Sequence, residues 1–359
     1  MLKRKKMQTR ILLPVAIMTV VFSAALYVLG EMTITKIIDQ TLDNQVQAKI
    51  ADIATSEKRI ASKMLSQAAL FSRADAVRAA YAKAYEGNID DENDPAAERA
   101  RADLRSYFAS IQQGYSESLG AKDFRIHFHL PPARSLLRLW QSKQNKSDDL
   151  QSFRNTVLTI SKGPHAPIEG IEIGRGGFAI RGLAPVISQD NRYLGSVEVL
   201  SSYDPLVRFS ISNDKEYIAV YMQKAFLPIA TKLQNPEKNP VIGDQFVFIS
   251  STDKRVTDPL LPAAVLAHGK ERIYKVRNGD HFVTVFPIKD FSGKNIGVMS
   301  YVYNASDLYG ILAKIRWGIA VLCCALLLCI IGALVISVRG VTIPLNRITK
   351  ELNEGSQQV

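Results

Sequence analysis

Two long uncharged runs, one near each end of the chain, constrain the fold more than any other feature of the sequence. The first run covers Ile11 to Gly30 and the second covers Gly318 to Val338. At about 1.5 Å per residue in a helix, each run can cross a hydrocarbon layer of roughly 30 Å. A cleaved secretory signal is the alternative for the first run, although the apolar part of such signals spans only about 7–15 residues. We therefore expect two transmembrane helices with a folded region, residues 31–312, between them.

Charge placement predicts the orientation of the two spans. A basic cluster from Lys3 to Arg10 precedes the first run, and Arg339, Arg347 and Lys350 follow the second. The positive-inside rule then places both chain ends in the cytoplasm and residues 31–312 outside it. Much of the net charge of +11 is explained by this topology and by contact with lipid headgroups. Because no recognition motif accompanies the charge, we expect no nucleic-acid partner.

Cysteine usage excludes a disulfide-stabilised domain. The three cysteines, Cys323, Cys324 and Cys329, all lie inside the second apolar run. Residues 31–312 therefore contain no pair that could form a disulfide and no Cys-x-x-Cys pair that could hold zinc. The fold between the spans must be stabilised by burial alone.

A long helix is predicted directly after the first span. From Met32 to about Tyr85 the sequence contains neither Gly nor Pro, and apolar residues recur at steps of three, four and seven, which is typical of one helix face. This face could pack on a partner stalk, on the helix's own domain, or on both at different heights. The segment from Gly87 to Pro95 ends the helix with turn formers and acids. The apolar positions are Ile34, Ile38, Leu42, Val46, Ile50, Ile53, Ile60 and Met64.

The remainder of the region between the spans contains two similar halves. Residues 183–206 align without a gap on residues 285–308, at a constant offset of 102 positions that superimposes Pro185 on Pro287 and Gly195 on Gly297. Each copy contains a strand, a polar turn, a second strand that begins near Gly, and a segment with Asn or Asp directly after that strand. With short helices inserted between the strands, the pattern predicts an α+β class with two tandem modules.

This arrangement resembles the double Cache sensors of bacterial transmembrane receptors over essentially the whole chain. After the second span, Pro344 followed by Leu345, Ile348 and Leu352 resembles the start of the cytoplasmic part of a methyl-accepting chemotaxis receptor. About twenty residues after the span cannot form an output domain, so we expect either a truncated receptor or an output that lies on a partner, and we favour truncation. The resulting organisation is a cytoplasmic N-terminus (1–10), a first span (11–30), a stalk helix (31–86), a membrane-distal PAS-like (Cache) module (87–205), a membrane-proximal Cache-like module (206–312), a second span (317–338) and the start of a signalling helix (339–359).

The densest group of polar residues runs from Phe124 to Trp140. His127 and His129 are two apart on a predicted strand, so their side chains share one face. Such a pair could hold a metal or line a pocket through hydrogen bonds. Because no third and fourth ligands are evident nearby, the expectation is no metal and no cofactor. The pattern from Gly174 to Ala179 is not followed by a helix, which excludes a dinucleotide site there.

Two arginines and a tryptophan follow a Pro-Pro turn. The spacing of Arg134 and Arg138 puts both on one face if the segment is helical, where their planar guanidiniums could bind a carboxylate. Pairing with acids of the sheet is the alternative. Arg138 and Trp140 are similar to the Arg-x-Trp part of the amino-acid-binding pattern of double Cache sensors. The sequence departs from that pattern at Gln141, where the family has an aromatic residue.

Two acids interrupt apolar strands and complete the candidate site. Glu172 and Glu198 each need a cation or donor if they are buried, and either a ligand amine or an arginine such as Arg175 or Arg181 could supply it. Tyr203 closes the second of these strands. The candidate ligand-binding residues are His127, His129, Arg134, Arg138, Trp140, Glu172, Glu198 and Tyr203.

The resemblance implies a sensor of the bacterial inner membrane that binds a small polar ligand, one that carries a carboxylate, in the distal module and signals through the second span. It implies a homodimer through the stalk helix, and cytoplasmic signalling proteins as partners if the chain continues past Val359. Catalysis is not expected, because residues 31–312 contain no nucleophile or metalloprotease motif. The input region of a sensor kinase or diguanylate cyclase, and a membrane-anchored solute-binding protein without output, remain alternatives.

Overall fold

Two long helices contain the apolar runs. The computed structural model of the chain describes residues 2–120, 124–141, 148–337, 339–340 and 343–355. Helix α1 covers Leu2–Ser72 and helix α8 covers Ser306–Ser337. Both are long and apolar enough to cross a membrane. The chain divides into one unit of residues 1–45 and 305–359 and a second unit of residues 46–304.

Within the first unit, α1 and α8 contact each other. The Arg316 guanidinium lies 2.9 Å from a carboxylate oxygen of Glu31. At Gly30 an added Cβ would lie 3.2 Å from the side chain of Ile319, so the small residue permits close approach of the two helices. A short helix, α9 (Ile343–Gly355), lies beyond the second apolar run, where the sequence predicts a signalling helix.

The second unit begins with the later turns of α1, and the helix ends earlier than the sequence predicts. The expected stalk helix extends to residue 86, whereas α1 ends at Ser72 and α2 covers Asp75–Ala84. Neither Gly nor Pro marks the break. The Ser72 hydroxyl bonds the Ala69 carbonyl and Ala74 has extended backbone angles, so α2 changes direction and buries Val77 and Tyr81.

The first sheet is antiparallel throughout, with strand order β2-β1-β5-β4-β3. One face packs on α2 and α3 (Pro95–Leu119) through a core that includes Tyr81, Phe108 and Phe128. The short helix α4, Asn155–Ser161, contributes Val157 and Ile160 to a smaller apolar cluster with Leu183 of β4. The strands are β1 (Arg125–Leu130), β2 (Arg134–Arg138), β3 (Ile168–Gly174), β4 (Gly177–Ile187) and β5 (Tyr193–Ser202).

The second sheet follows the short helix α5, Asp204–Phe209, and has the order β7-β8-β6-β11-β10-β9. Its core includes Val46 and Ile53 of α1, so this part of the predicted apolar stripe packs on the helix's own domain. The elements are β6 (Glu216–Gln223), β7 (Val241–Ile242), β8 (Phe246–Ser251), α6 (Lys254–Leu260), α7 (Ala263–His268), β9 (Tyr274–Asn278), β10 (His281–Lys289) and β11 (Asn295–Asn304).

The predicted repeat is confirmed in detail. Strand β5 and strand β11 have bounds that differ by the same 102 positions as the aligned sequences. The register shift between Val186 and Ile187 of β4 recurs between Ile288 and Lys289 of β10. Two related modules therefore follow one another, and the expected α+β class with two tandem modules and two apolar flanking helices is confirmed.

Candidate functional site

A cavity of about 310 Å³ lies on the face of the first sheet opposite α2 and α3. Trp140 and Phe153 are among the aromatic residues of its wall. Among the described residues that line the cavity none is acidic. Six cationic residues line it: Arg125, Arg138, Arg154, Arg175, Arg181 and Lys232.

Strand register determines which side chains face this cavity. His127 of β1 lies opposite both Arg138 of β2 and Glu198 of β5. Residues directly opposite one another in an antiparallel pair project from the same face of the sheet. The two histidines, two apart on β1, therefore share their face with Arg138 and Glu198, as the alternation of the sequence predicts for the histidine pair.

A β-bulge separates the two candidate arginines of β2. Phe128 is opposite Leu137 and His129 is opposite Ser135, so Leu136 is an extra residue on β2. An extra residue reverses the alternation of side chains along a strand. Arg138 consequently reaches the cavity, whereas Arg134 bonds the backbone oxygen of Asp90 in the loop before α3.

Two arginines of the cavity wall form a buried ionic cluster with two glutamates behind it. Arg154 donates from Nε to Glu172 at 2.8 Å and from a terminal nitrogen to Glu198 at 2.6 Å. Arg181 donates to the same oxygen of Glu198 at 2.7 Å. Thr156 adds two bonds to Glu172, from its backbone N–H at 2.9 Å and its hydroxyl at 2.6 Å. The cluster is charge-balanced, which permits its complete burial.

The electrostatics of this cluster keep Glu198 ionised. Burial alone would raise the pKa of the Glu198 carboxyl, but Arg154 and Arg181 outweigh it and hold that pKa well below its usual value. Burial lowers the pKa of Arg154, and Glu198 and Glu172 more than compensate, so that its pKa is raised. Glu198 is therefore an acceptor, and it has no proton to donate at neutral pH.

Asp148, which is not among the residues that line the cavity, pairs with two of the lining arginines. Arg138 donates two parallel bonds to Asp148, at 2.8 and 2.9 Å. Arg175, in the turn between β3 and β4, approaches the second oxygen of Asp148 at 3.1 Å and stacks over the Phe153 ring with 5.7 Å between its guanidinium carbon and the ring centroid. A carboxylate therefore already occupies one side of each guanidinium fork.

The two histidines are neutral and lie against Glu198. Burial, followed by the charge of Arg138, lowers the pKa of His127 to about 3. Burial and then His127 lower the pKa of His129 well below its usual value. His127, His129 and Glu198 offer three ligand atoms that lie within 4.8 Å of one another and could hold a metal ion. The His127 ring also contacts Trp140 edge to face, with centroids 6.0 Å apart.

The structure brings six of the eight candidate residues together. His127, Arg138 and Trp140 line the cavity, and His129, Glu172 and Glu198 lie in the buried cluster behind it. The other two, Arg134 and Tyr203, lie elsewhere. Tyr203 packs against Phe178 at 5.5 Å between centroids and hydrogen-bonds Glu57 of α1.

Several residues of the site were not among the candidates. Arg125 of β1 and Arg181 of β4 occupy positions whose side chains alternate toward the cavity. The sequence indicates both positions once the pairing of the strands is assumed. Arg154 immediately precedes α4 and Asp148 lies in a loop, so no periodicity indicates either of them. The proximity of Glu198 to the histidine pair depends on β1 pairing with β5, which are distant in the sequence.

A protein-family model described as a double sensory domain of two-component sensor kinases matches residues 56–309. The matched range includes both sheets and every residue of the cavity wall. No curated protein sequence matches the chain.

Several solved sensor domains have a similar arrangement. The sensor domain of the Vibrio cholerae histidine kinase DctB is 10% identical, with a TM-score of 0.42, and the match covers 74% of this chain and 98% of that one. A domain of a sensory box/GGDEF family protein from Vibrio parahaemolyticus is 12% identical, with a TM-score of 0.44 and coverage of 74% and 97%. The ligand-binding domain of the Pseudomonas fluorescens chemoreceptor CtaA, solved with L-serine, is 10% identical, with a TM-score of 0.37 and coverage of 74% and 99%.

Proposed function

The chain belongs to the family of double sensory (double Cache) domains, and from this premise we propose that it is a bacterial inner-membrane chemoreceptor that detects a small carboxylate-bearing molecule. The ligand binds in the first-sheet cavity, outside the cytoplasm. Binding is transmitted through the second module to α8, the second membrane span. The first module is a binding site, and the function needs no covalent chemistry.

The observation that carries this proposal is the cationic wall of the cavity. Six lining residues are arginine or lysine, and the buried acids that balance some of them lie behind the wall. Guanidinium groups bind carboxylates through paired, charge-assisted hydrogen bonds. Trp140 and Phe153 add apolar surface for the remainder of a small ligand. A cavity of about 310 Å³ is at the lower end of the range for small-molecule sites.

The second module lacks the corresponding charges. At the positions 102 residues after Arg181 and Glu198 stand Val283 and Ser300, both buried. This asymmetry supports ligand recognition in the first module and a coupling role for the second. The last strand of the second module, β11, is followed directly by α8, so a change in that sheet has a short covalent path to the second span.

A matched pair of variants on β2 tests the proposal. The full chain in lipid nanodiscs is screened by thermal shift against small mono- and dicarboxylates, with amines of similar size as a contrast, because a ligand that binds only the folded state raises the melting temperature. Arg138→Gln is expected to weaken carboxylate binding by about tenfold to a hundredfold, the equivalent of one charge-assisted hydrogen bond.

Arg134→Gln is the control, since Arg134 lies on the same strand and also contacts an aspartate, Asp90, but does not line the cavity. It should bind the carboxylate as tightly as the parent chain. Equal affinity in the Arg138→Gln variant, or stabilisation by amines instead of carboxylates, would contradict the proposal.

The input region of a two-component sensor kinase is a second candidate, favoured by the description of the family model. Both candidates share the sensor and differ only in the output. The gene sequence beyond the codon for Val359 distinguishes them, because a chemoreceptor continues into a long helical hairpin and a kinase continues into a phosphotransfer domain.

A further inference from the structure

Three side chains of the first sheet converge on one point behind the cavity wall. His127 and His129 lie on β1, and Glu198 lies on β5 directly opposite His127. All three are at most 2% exposed. Oε2 of Glu198 lies 3.4 Å from Nδ1 of His127 and 3.6 Å from Nε2 of His129.

The atoms of these three side chains that face one another have few hydrogen-bond partners. Among the residues that the structure describes, buried Nε2 of His129 has no hydrogen-bond partner, and buried Oε2 of Glu198 has a long contact of 3.4 Å with Nδ1 of His127 in place of a short bond. A buried polar atom without a partner is costly, and a bound ion is one of the few groups that can satisfy it. Nε2 of His129 and Oε2 of Glu198 lie 3.6 Å apart.

The opposite sides of the same groups are held firmly. Nε2 of His127 lies 2.8 Å from the Ser135 hydroxyl, and Nδ1 of His129 lies 3.1 Å from the Ser196 hydroxyl. Oε1 of Glu198 accepts from Arg154 and Arg181. Metal-binding imidazoles and carboxylates are oriented in this way, because a second group fixes the atom that does not face the metal.

The two contacts to Glu198 have the spacing of ligands on one transition-metal ion, and all three facing atoms lie within 4.8 Å of one another. Bonds of about 2.0–2.2 Å at tetrahedral angles place neighbouring ligand atoms roughly 3.3–3.6 Å apart, and the contacts to Glu198 measure 3.4 and 3.6 Å. Two imidazoles with one carboxylate favour zinc-class ions over magnesium or calcium. We propose that His127, His129 and Glu198 bind one divalent first-row transition-metal ion.

The site has a place for a fourth ligand. Three protein ligands leave one position of a tetrahedral ion open, and His127 is also part of the cavity wall. The ion would add two positive charges to a cluster in which Arg154 and Arg181 already balance Glu172 and Glu198. A hydroxide or a carboxylate that enters from the cavity and binds at the open position offsets one of these two charges.

Each of two substitutions removes the imidazole nitrogen that faces the proposed ion and keeps an amide group near the position of the other ring nitrogen. His129→Asn retains an amide group near the position of Nδ1, next to Ser196, and removes Nε2. His127→Gln retains an amide near the position of Nε2, next to Ser135, and removes Nδ1. His165→Asn is the matched control, because His165 stacks on Tyr193 and bonds the Ile160 carbonyl, outside the cluster.

The test is a titration of the full chain in nanodiscs, purified without a polyhistidine tag and stripped with a chelator, with Zn²⁺ and with Co²⁺ as a spectroscopic probe. The parent chain and His165→Asn should bind one ion, and bound Co²⁺ should show the intense visible bands of a four-coordinate nitrogen and oxygen site. His129→Asn and His127→Gln should each weaken binding by at least about tenfold.

Melting curves recorded without metal identify any variant that is not folded. If a variant is not folded, the spectrum of Co²⁺ bound to the parent chain shows whether the proposed four-coordinate site exists. The proposal is overturned if the parent binds no stoichiometric ion, if its Co²⁺ spectrum is that of a six-coordinate aqueous-type site, or if the folded variants bind as tightly as the parent.

Discussion

At the residue scale, Glu57 and Tyr203 connect α1 to the edge of the first sheet. Glu57 lies in a half-buried position of α1, and Tyr203 is buried at the end of β5. Burial raises the pKa of the Glu57 carboxyl to about 7, and the hydrogen bond from the Tyr203 hydroxyl only partly opposes this. The folded chain therefore holds a proton on Glu57 in a range where the unfolded chain has lost it.

This proton predicts a pH dependence of stability. From the usual value of 4.5 to about 7, the folded state binds more protons than the unfolded state, so the free energy of unfolding falls as pH rises through this window. Glu57→Gln keeps an acceptor for Tyr203 and removes the titration. The melting temperature of the variant relative to the parent should therefore rise between pH 4.5 and pH 7 and stay constant above it.

Glu237→Gln provides the control, since Glu237 is an exposed acid of the second module. Its melting temperature relative to the parent should change little over the same window. A parallel pH dependence in the Glu57→Gln variant and the parent chain would show that Glu57 does not hold the proton.

The predictability of the site from sequence differs residue by residue. Alternation along a strand was sufficient to place His127 and His129 on one face. The prediction that Arg134 and Arg138 share a face assumed a helical segment, whereas the segment is strand β2, and the extra residue Leu136 reverses its alternation. Arg154 was missed because it acts from a loop, where side-chain direction depends on tertiary packing.

At the element scale, α1 lies directly on the first sheet. A Cβ added to Gly182 of β4 would meet the backbone nitrogen of Leu65 at 2.0 Å and its Cα at 2.3 Å. Backbone atoms in the middle of a helix cannot move aside cheaply. Gly182 is therefore required for close approach of α1 and β4, a role that cannot be inferred from a single glycine in a strand pattern.

Gly182→Ala is expected to lower the free energy of unfolding by about 1–3 kcal/mol or more, the cost of overpacking a well-packed contact. Gly114→Ala is the contrast, since Gly114 lies within α3 and has open space around its Cα. Replacing that glycine should stabilise the chain by about 0.5–1 kcal/mol. Thermal melting of both variants in nanodiscs measures the difference, and a neutral Gly182→Ala would refute the close-packing argument.

At the scale of the whole molecule, the two modules repeat the same strands but differ in the charged residues that line the proposed ligand site. Strands β5 and β11 have equivalent bounds, and β4 and β10 have a register shift at equivalent positions; the constant offset of 102 residues in the sequence predicts the repeated strands. The ionic cluster is confined to the first module, where Arg181 and Glu198 stand in place of Val283 and Ser300. One copy has uncharged residues at these two positions, and the other uses them for an arginine of the cavity wall and the glutamate behind it.

The proposed function requires that a ligand in this cavity changes the arrangement of the two spans. Spin labels at positions 27 and 317, in a chain whose three native cysteines are replaced by serine, report the distance between α1 and α8 by double electron–electron resonance in nanodiscs. We expect the distance distribution to shift when the stabilising carboxylate is added, and to remain unshifted in the Arg138→Gln variant at the same concentration. An unchanged distribution in the parent chain with the ligand demonstrably bound would contradict the account.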